Sequence, residues 1–478
     1  MRKPLWVAAL LVLTGLAHLP GLQNDFVLWD DDTHITQNPV IRALTAENVA
    51  AMFTQPIAKL YCPLTWLSFA VDYRLWGRDP FGYHLTNLLL HLANTVLVFL
   101  LLDRLRPLWE RPFLLVEHPL SLWERPSGRD SSVAGNSIPL LTAALFGVHP
   151  LRVESVAWAT ERKDVLFVFF YLLALLVYLQ RDRLWLCFLL FVAATLSKSA
   201  AVTFPVVALL LDRFLGQPLR WKPLIPFFAV SLLIGGVTIW VQTQGSGETV
   251  ASPDAIPLAI RPALVGYCAL FYVGKFLWPF HLSAIYPTFD ELRWSPALAL
   301  LGFGAVTTGV WLLRRRAPAL LAGWLFYLVT LAPTIGLAPV GIHVVADRYA
   351  YLPMLGLAFA AVTALGRFRP FLWVAVIALA YLSFLRTSVW RDTERLFLSV
   401  LDDNPRSLPA HINLTKWYTT LGEHDRAIEH GRQAVAIAPA GAPGRRNLAA
   451  ALKAAGRLDE AVTVWPGIAA PRSADVPD

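Results

Sequence analysis

Charge is scarce in this sequence. Asp, Glu, Lys and Arg make up 15% of its residues, against about 25% in an average soluble protein, and the mean hydropathy is +0.52. That balance excludes a soluble globular domain. Cysteine is rare as well: Cys62, Cys187 and Cys268 stand far apart with no metal-ligand spacing, which excludes a disulfide scaffold or a zinc module. Acidic residues are fewer than basic ones, 33 against 41, for a formal charge of +8. In so apolar a chain this excess points to cytoplasmic loops and anionic headgroups rather than to nucleic acid. What is abundant is apolar and aromatic, with 18 Trp and 27 Phe, residues that collect at bilayer interfaces and between membrane helices.

The long apolar runs, each about 20 residues as a hydrocarbon core requires, fall near 4–22, 83–103, 138–157, 164–180, 184–198, 200–216, 222–242, 296–313, 318–338, 349–366 and 370–388. They predict an all-α polytopic bundle of roughly eleven spans. The N-terminal run follows a short basic head but has no clear small-residue cleavage site, so an uncleaved anchor is expected. Lys and Arg cluster at Arg2 and Lys3, in the loop with Arg104, Arg106, Arg111, Arg125 and Arg129, at 180–183, at Arg220 with Lys222, and at Arg367 with Arg369, which assigns those segments to the cytoplasm. Arg314, Arg315 and Arg316 join them only if the aromatic segment 262–282 lies in the interface instead of crossing, and that is the reading adopted. Loops 23–82, 149–163, 243–295 and 339–348 then face outward, as does everything after residue 388. The sequence LWERP occurs twice, at 108–112 and 122–126, and reads as a dispensable insertion.

Composition turns polar after Trp390. Asn413, Leu414, Tyr418, Gly422, Ala427 and Pro405 recur thirty-four positions later as Asn447, Leu448, Leu452, Gly456, Ala461 and Pro439. Thirty-four is the period of the tetratricopeptide repeat (TPR). Residues 1–388 and 389–478 are therefore expected to form a membrane domain and a repeat domain. About two repeats bury little surface alone, so the array has to lean on the membrane domain, on a partner or on another copy.

Ionisable residues gather in three outward loops. The first carries Asp30, Asp31 and Asp32; the second, HPLRVESVAWATERKD, carries His149, Glu154, Glu161, Arg162, Lys163 and Asp164; the third carries Asp347 and Arg348. Ionisable groups at a membrane boundary are costly and indicate function by default. Carboxylates beside cations suit glycosyl transfer from a lipid phosphate: a base takes the acceptor proton, and cations such as Arg162, Lys163 and Arg348 hold the leaving phosphate. His149, Asp164, Asp347 and Asp32 are further candidates. The acidic run would also suit Mg²⁺ or Mn²⁺, but no complete ligand set is visible, so no metal is assigned.

The stretches DDDTHITQNP, YCPLTWLSF, GYHLTNLLLHLAN, FGVHPLRVESVAWATERKDVL and ADRYAYLPMLGL, with the C-terminal repeats, resemble the transmembrane and tetratricopeptide repeat-containing O-mannosyltransferases and their bacterial relatives, in the GT-C superfamily. The resemblance covers nearly the whole chain. It implies a multi-pass enzyme, in a bacterial inner membrane with the N-terminus cytoplasmic and the repeats periplasmic. It further implies transfer of a sugar, with mannose a candidate, from a polyprenyl-phosphate donor to a protein or glycan acceptor. Asp30 and Asp31 match the family's acidic pair, from which the base comes, and Glu154 matches the acidic residue after H-P. The family often has G-R-A-D where this chain reads ERKD. The alternatives are a membrane-anchored repeat scaffold, which would need one span rather than eleven, and a lipid-linked sugar transporter, which would place its binding groups near the midplane.

Overall fold

The computed structural model describes residues 3–106, 137–243, 259–287, 295–335 and 344–469; the LWERP repeats lie outside them. Among the described residues the chain is all-α, its β structure limited to one isolated bridge between Ile57 and Leu60. In chain order the first part holds α1 (Lys3–His18), α2 (Ala46–Thr54), α3 (Pro63–Trp76), α4 (Pro80–Arg104), α5 (Ser137–Val148), α6 (Val153–Ala157), α7 (Arg162–Tyr178) and α8 (Leu184–Ser197). It continues with α9 (Phe204–Phe214), α10 (Ile225–Thr243), α11 (Arg261–Leu277), α12 (Pro296–Leu312), α13 (Pro318–Leu331), α14 (Met354–Ala364) and α15 (Arg369–Thr387).

Five stretches, Lys3–Gln23, Pro80–Arg104, Lys222–Gln242, Pro296–Arg315 and Gly366–Trp390, are long and apolar enough to cross a membrane. Several other expected spans are shorter as helices. At about 1.5 Å per residue the twelve residues of α5 reach about 18 Å, short of a core of about 30 Å. Proline sets this limit. Helix α5 stops at Val148 because His149, which precedes Pro150, takes the extended conformation (φ −74°, ψ 136°) favoured before proline. The expected span 138–157 is thus corrected to a buried helix followed by short turns. Likewise the run 349–366 begins as a turn over Asp347–Ala350 and becomes α-helical only at Met354, after Pro353.

The bundle core is apolar and aromatic, with Phe191, Phe204 and Phe227 in mutual contact and Tyr171 edge-on to Phe204. Helices α13 and α14 meet backbone to backbone at a glycine pair: a Cβ on Gly356 would stand 2.3 Å from the Gly323 carbonyl oxygen. Small residues permit such approach between membrane helices. Helix α11 packs against α12 and α13, with Tyr327 Oη donating to the Ala269 carbonyl at 2.6 Å. Along it, Cys268 Sγ lies 3.6 Å from the Val344 carbonyl, Tyr272 Oη donates to the Ala346 carbonyl at 2.9 Å, and the Phe276 carbonyl faces His149 Nε2 at 3.0 Å.

After Trp390 come α16 (Thr393–Asp403) and two helical hairpins, α17 (Leu408–Leu421) with α18 (His424–Ile437), and α19 (Ala442–Ala454) with α20 (Leu458–Val464). Gly422 and Gly456, one repeat apart, both sit at φ +77°, the left-handed conformation that ends the first helix of each hairpin and that a Cβ would oppose. Ala427 and Ala461, also one repeat apart, are wholly buried between helices.

The repeats lean on the membrane part. Trp29 stacks on Trp158 at 4.7 Å, Trp158 on Trp390 at 5.5 Å, and Phe397 of α16 closes on Trp29 at 6.1 Å. The backbone joins in: Asp25 N donates to the Arg391 carbonyl at 2.8 Å and Leu28 N to Thr393 Oγ1 at 2.9 Å.

Candidate active site

The three loops picked out by their charge meet, Asp31 on Thr160 and Arg348 on Glu154. The acidic loop is placed first. Asp31 has no exposed surface, and its carboxylate accepts from Val27 N (2.9 Å), Thr160 N (2.9 Å) and Thr160 Oγ1 (2.6 Å). It therefore ties the first loop to the second. Burial pushes its carboxyl up to about 7, against the pull of those donors. Asp32 is also buried and pairs with Lys416 Nζ of α17 at 2.5 Å. Asp30 differs from both. It is partly exposed, and among the described residues its carboxylate has no hydrogen-bonding partner; only its carbonyl is used, accepting from His34 N at 2.8 Å. Burial raises its pKa above the ordinary carboxylate value, while Lys163 and Arg348 act on it in the opposite sense.

The second and third loops build a charge cluster around Glu161. This carboxylate meets Lys163 at 2.9 Å, Arg348 at 3.6 Å and Lys198 at 3.8 Å. Burial would raise its pKa, but the three cations outweigh burial and hold it well below the usual range. Arg348 is fixed mainly by Glu154, which accepts from its Nη1 at 2.5 Å and from its backbone N at 3.2 Å. Lys198 pairs with Asp164, which also accepts from Ser155 Oγ at 3.0 Å. Lys163, Lys198 and Arg348 each keep a narrow exposed edge, 10–16% of the side chain. Trp158 packs under the cluster, with the Lys163 and Arg348 cations 5.8 and 5.6 Å from its ring. Such contacts favour retention of charge.

Other predicted site residues lie elsewhere. Arg162 is fully buried, with its guanidinium on Asp72 (2.7 Å), the Tyr83 carbonyl (2.8 Å) and Asn87. It braces α3 and α4 against α7, and offers no surface to a phosphate. His149 stacks on Phe276 at 5.3 Å and accepts from Leu151 N through Nδ1 at 3.2 Å; it anchors α11. Asp347 accepts from Tyr286 Oη at 2.7 Å and is buried. The sequence reading linked none of Lys198, Asp72 and Lys416 to the site. A lone lysine in ATLSKSA and a lone aspartate in FAVDYR were the available signals, but nothing local says which distant charge each one meets. Among the described residues no group of three or more His, Cys, Asp or Glu side chains is arranged to hold a metal ion.

Comparison with known proteins gives a consistent set of relatives. The chain is 25% identical to the protein O-mannosyl-transferase Tmtc3 of Drosophila melanogaster over 79% of its own length and 48% of that protein. It is 25% identical to the human protein O-mannosyl-transferase TMTC1 over 93% of itself and 56% of the relative, and 26% identical to human TMTC4 over 78% and 57%. The chain thus spans about half the length of the curated relatives it matches. No family model matches, and no solved structure does. The similarity to TMTC O-mannosyl-transferases over most of the chain agrees with the resemblance carried by its motifs.

Proposed function

We propose that this membrane protein is a glycosyltransferase that moves a sugar from a polyprenyl-phosphate carrier to a hydroxyl group of a protein acceptor, with Asp30 as general base. The reaction belongs to the outer face of the membrane, periplasmic in a bacterial inner membrane, and mannose is the first sugar to test, since the relatives are named for it. The observation that carries the reading is the isolation of Asp30. Among the described residues of the cluster it is the one carboxylate without a side-chain or backbone donor, and it stands within the field of Lys163 and Arg348.

The chemistry follows from that arrangement. The acceptor oxygen forms a bond to the anomeric carbon while the bond from that carbon to the phosphate oxygen breaks. Asp30 takes the hydroxyl proton; the phosphate leaves with the electron pair, and the exposed edges of Lys163 and Arg348 stabilise its charge. A carboxyl raised by burial is a stronger base than one in water, and cations nearby keep it ionised. Asp31 holds the loop, and Glu154 holds Arg348; neither needs to touch substrate.

Transfer from radiolabelled polyprenyl-phosphate mannose by the purified protein tests the reading. Asp30→Asn is expected to lower turnover by about 10²–10⁴-fold with donor binding kept. Asp31→Asn is expected to act through the fold, since an amide nitrogen facing backbone N–H groups costs about 1–3 kcal/mol, visible as a lower melting temperature. Wild-type turnover in Asp30→Asn would remove Asp30 from the mechanism and bring Glu154 forward.

A further inference from the structure

We infer that the repeat segment is part of the active site, and that Lys416 of α17 is a positioning residue whose ion pair with Asp32 sets where Asp30 stands. The inference rests on the reading of Asp30 as the base.

The segment 24–36 is held from two sides. Thr160 of the membrane part takes the Asp31 carboxylate. That part also holds Phe26 on Tyr83 and, in the turn that follows, His34 and Ile35 beside Trp66, while in the C-terminal part Arg391 accepts from Asp25 N, Thr393 from Leu28 N, and Trp390 and Phe397 pack beside Trp29. These C-terminal contacts all lie before Asp31. Beyond it the chain enters a single wide helical turn, Asp32–Thr36, in which His34 N bonds the Asp30 carbonyl and Gln37 N the Asp32 carbonyl, both at 2.8 Å. The side-chain anchor of that turn on the repeat array is Lys416 Nζ, 2.5 Å from Asp32 Oδ2.

The two ends of this pair differ in exposure: the Lys416 side chain is 45% exposed and that of Asp32 6%. Removing the lysine therefore leaves a buried carboxylate without its cation, a state that the start of the turn relieves by moving outward about its far end, where His34 and Ile35 pack beside Trp66. Such movement carries Asp30 with it, because Asp30 closes the same turn through its carbonyl. A base displaced by a fraction of an ångström to an ångström loses much of its rate advantage while the donor cations stay in place. By the same path, a molecule that binds the repeats and disturbs α17 alters the placement of the base.

The test compares wild type with Lys416→Met, Lys416→Arg and the charge swap Asp32→Lys with Lys416→Asp. Amide hydrogen exchange at residues 32–37 and the kinetics of sugar transfer are read in parallel. Lys416→Met is expected to speed exchange at the His34 and Gln37 amides and to lower kcat about three- to tenfold with the KM for donor unchanged. Lys416→Arg should restore both, and the swap should recover part of each. Exchange and kcat both at wild-type level in Lys416→Met overturn the inference, as does a loss that Lys416→Arg fails to restore. If exchange rises in Lys416→Met but the wild type transfers no sugar, the anchoring of the turn stands and the glycosyl-transfer reading falls.

Discussion

Asp30, Asp31 and Asp32 share one side chain and differ in their surroundings. Asp31 is spent on Thr160 and Val27, Asp32 on Lys416, and Asp30 on nothing. This has a pH consequence. A general base works only when ionised, so turnover falls as pH drops through its pKa. Burial raises that pKa and Lys163 opposes the rise. The acid limb of kcat should therefore lie above the range of an ordinary carboxylate, and Lys163→Met, by removing an opposing charge, should move it to still higher pH. A pH–rate series at saturating donor measures both; an acid limb at the same pH in the two proteins would argue against Asp30 as the titrating group. The sequence made the carboxylates conspicuous, but could not rank them, because ranking depends on partners 129 and 384 positions away. The same holds for Arg162, whose partner Asp72 lies 90 positions off and turns an expected phosphate contact into a structural brace. Glu161 and Lys163, which stand where the resembled family often has small residues, form an ion pair at 2.9 Å, so the two charges enter the cluster together and balance.

At the level of elements, apolar runs located the helices well and their ends poorly. Hydropathy is insensitive to a single proline, whereas backbone geometry is not, which is why α5 and α14 are shorter than the runs that contain them. The repeat was legible in detail, since glycine at a helix end and alanine at a helix crossing are local requirements. The glycine pair between α13 and α14 offers an element-scale prediction. In Gly356→Ala the new methyl group would meet the Gly323 carbonyl at 2.3 Å and Tyr327 N at 2.8 Å, and the helices have to part. A loss of about 1–3 kcal/mol is expected from such overpacking, measured as a lower unfolding temperature in detergent. Because α14 follows directly on the turn bearing Arg348, the same variant should also weaken donor binding. Unchanged stability would mean that the two helices separate at little cost.

For the whole molecule, the expectation of a membrane domain and a repeat domain describes composition better than it describes contacts, because the Trp29, Trp158 and Trp390 stack and the Asp32–Lys416 pair join the two. Reporter fusions should give a cytoplasmic signal after residue 316 and an outward one after residue 400 if α11 lies in the interface without crossing. An outward signal after residue 316 with a cytoplasmic one after residue 400 would mean that α11 crosses.

The seam at Trp29 also bears on how the protein is made. Leu28 and its partner Thr393 are 365 positions apart, and at a synthesis rate of about 5–20 residues per second the first waits roughly 20–70 s for the second to be translated. During that interval the acidic loop has its Thr160 anchor but no C-terminal wall. If Asp30 is the base proposed above, it is among the last parts of the molecule to reach its place, and a chain cut before Thr393 is expected to transfer no sugar.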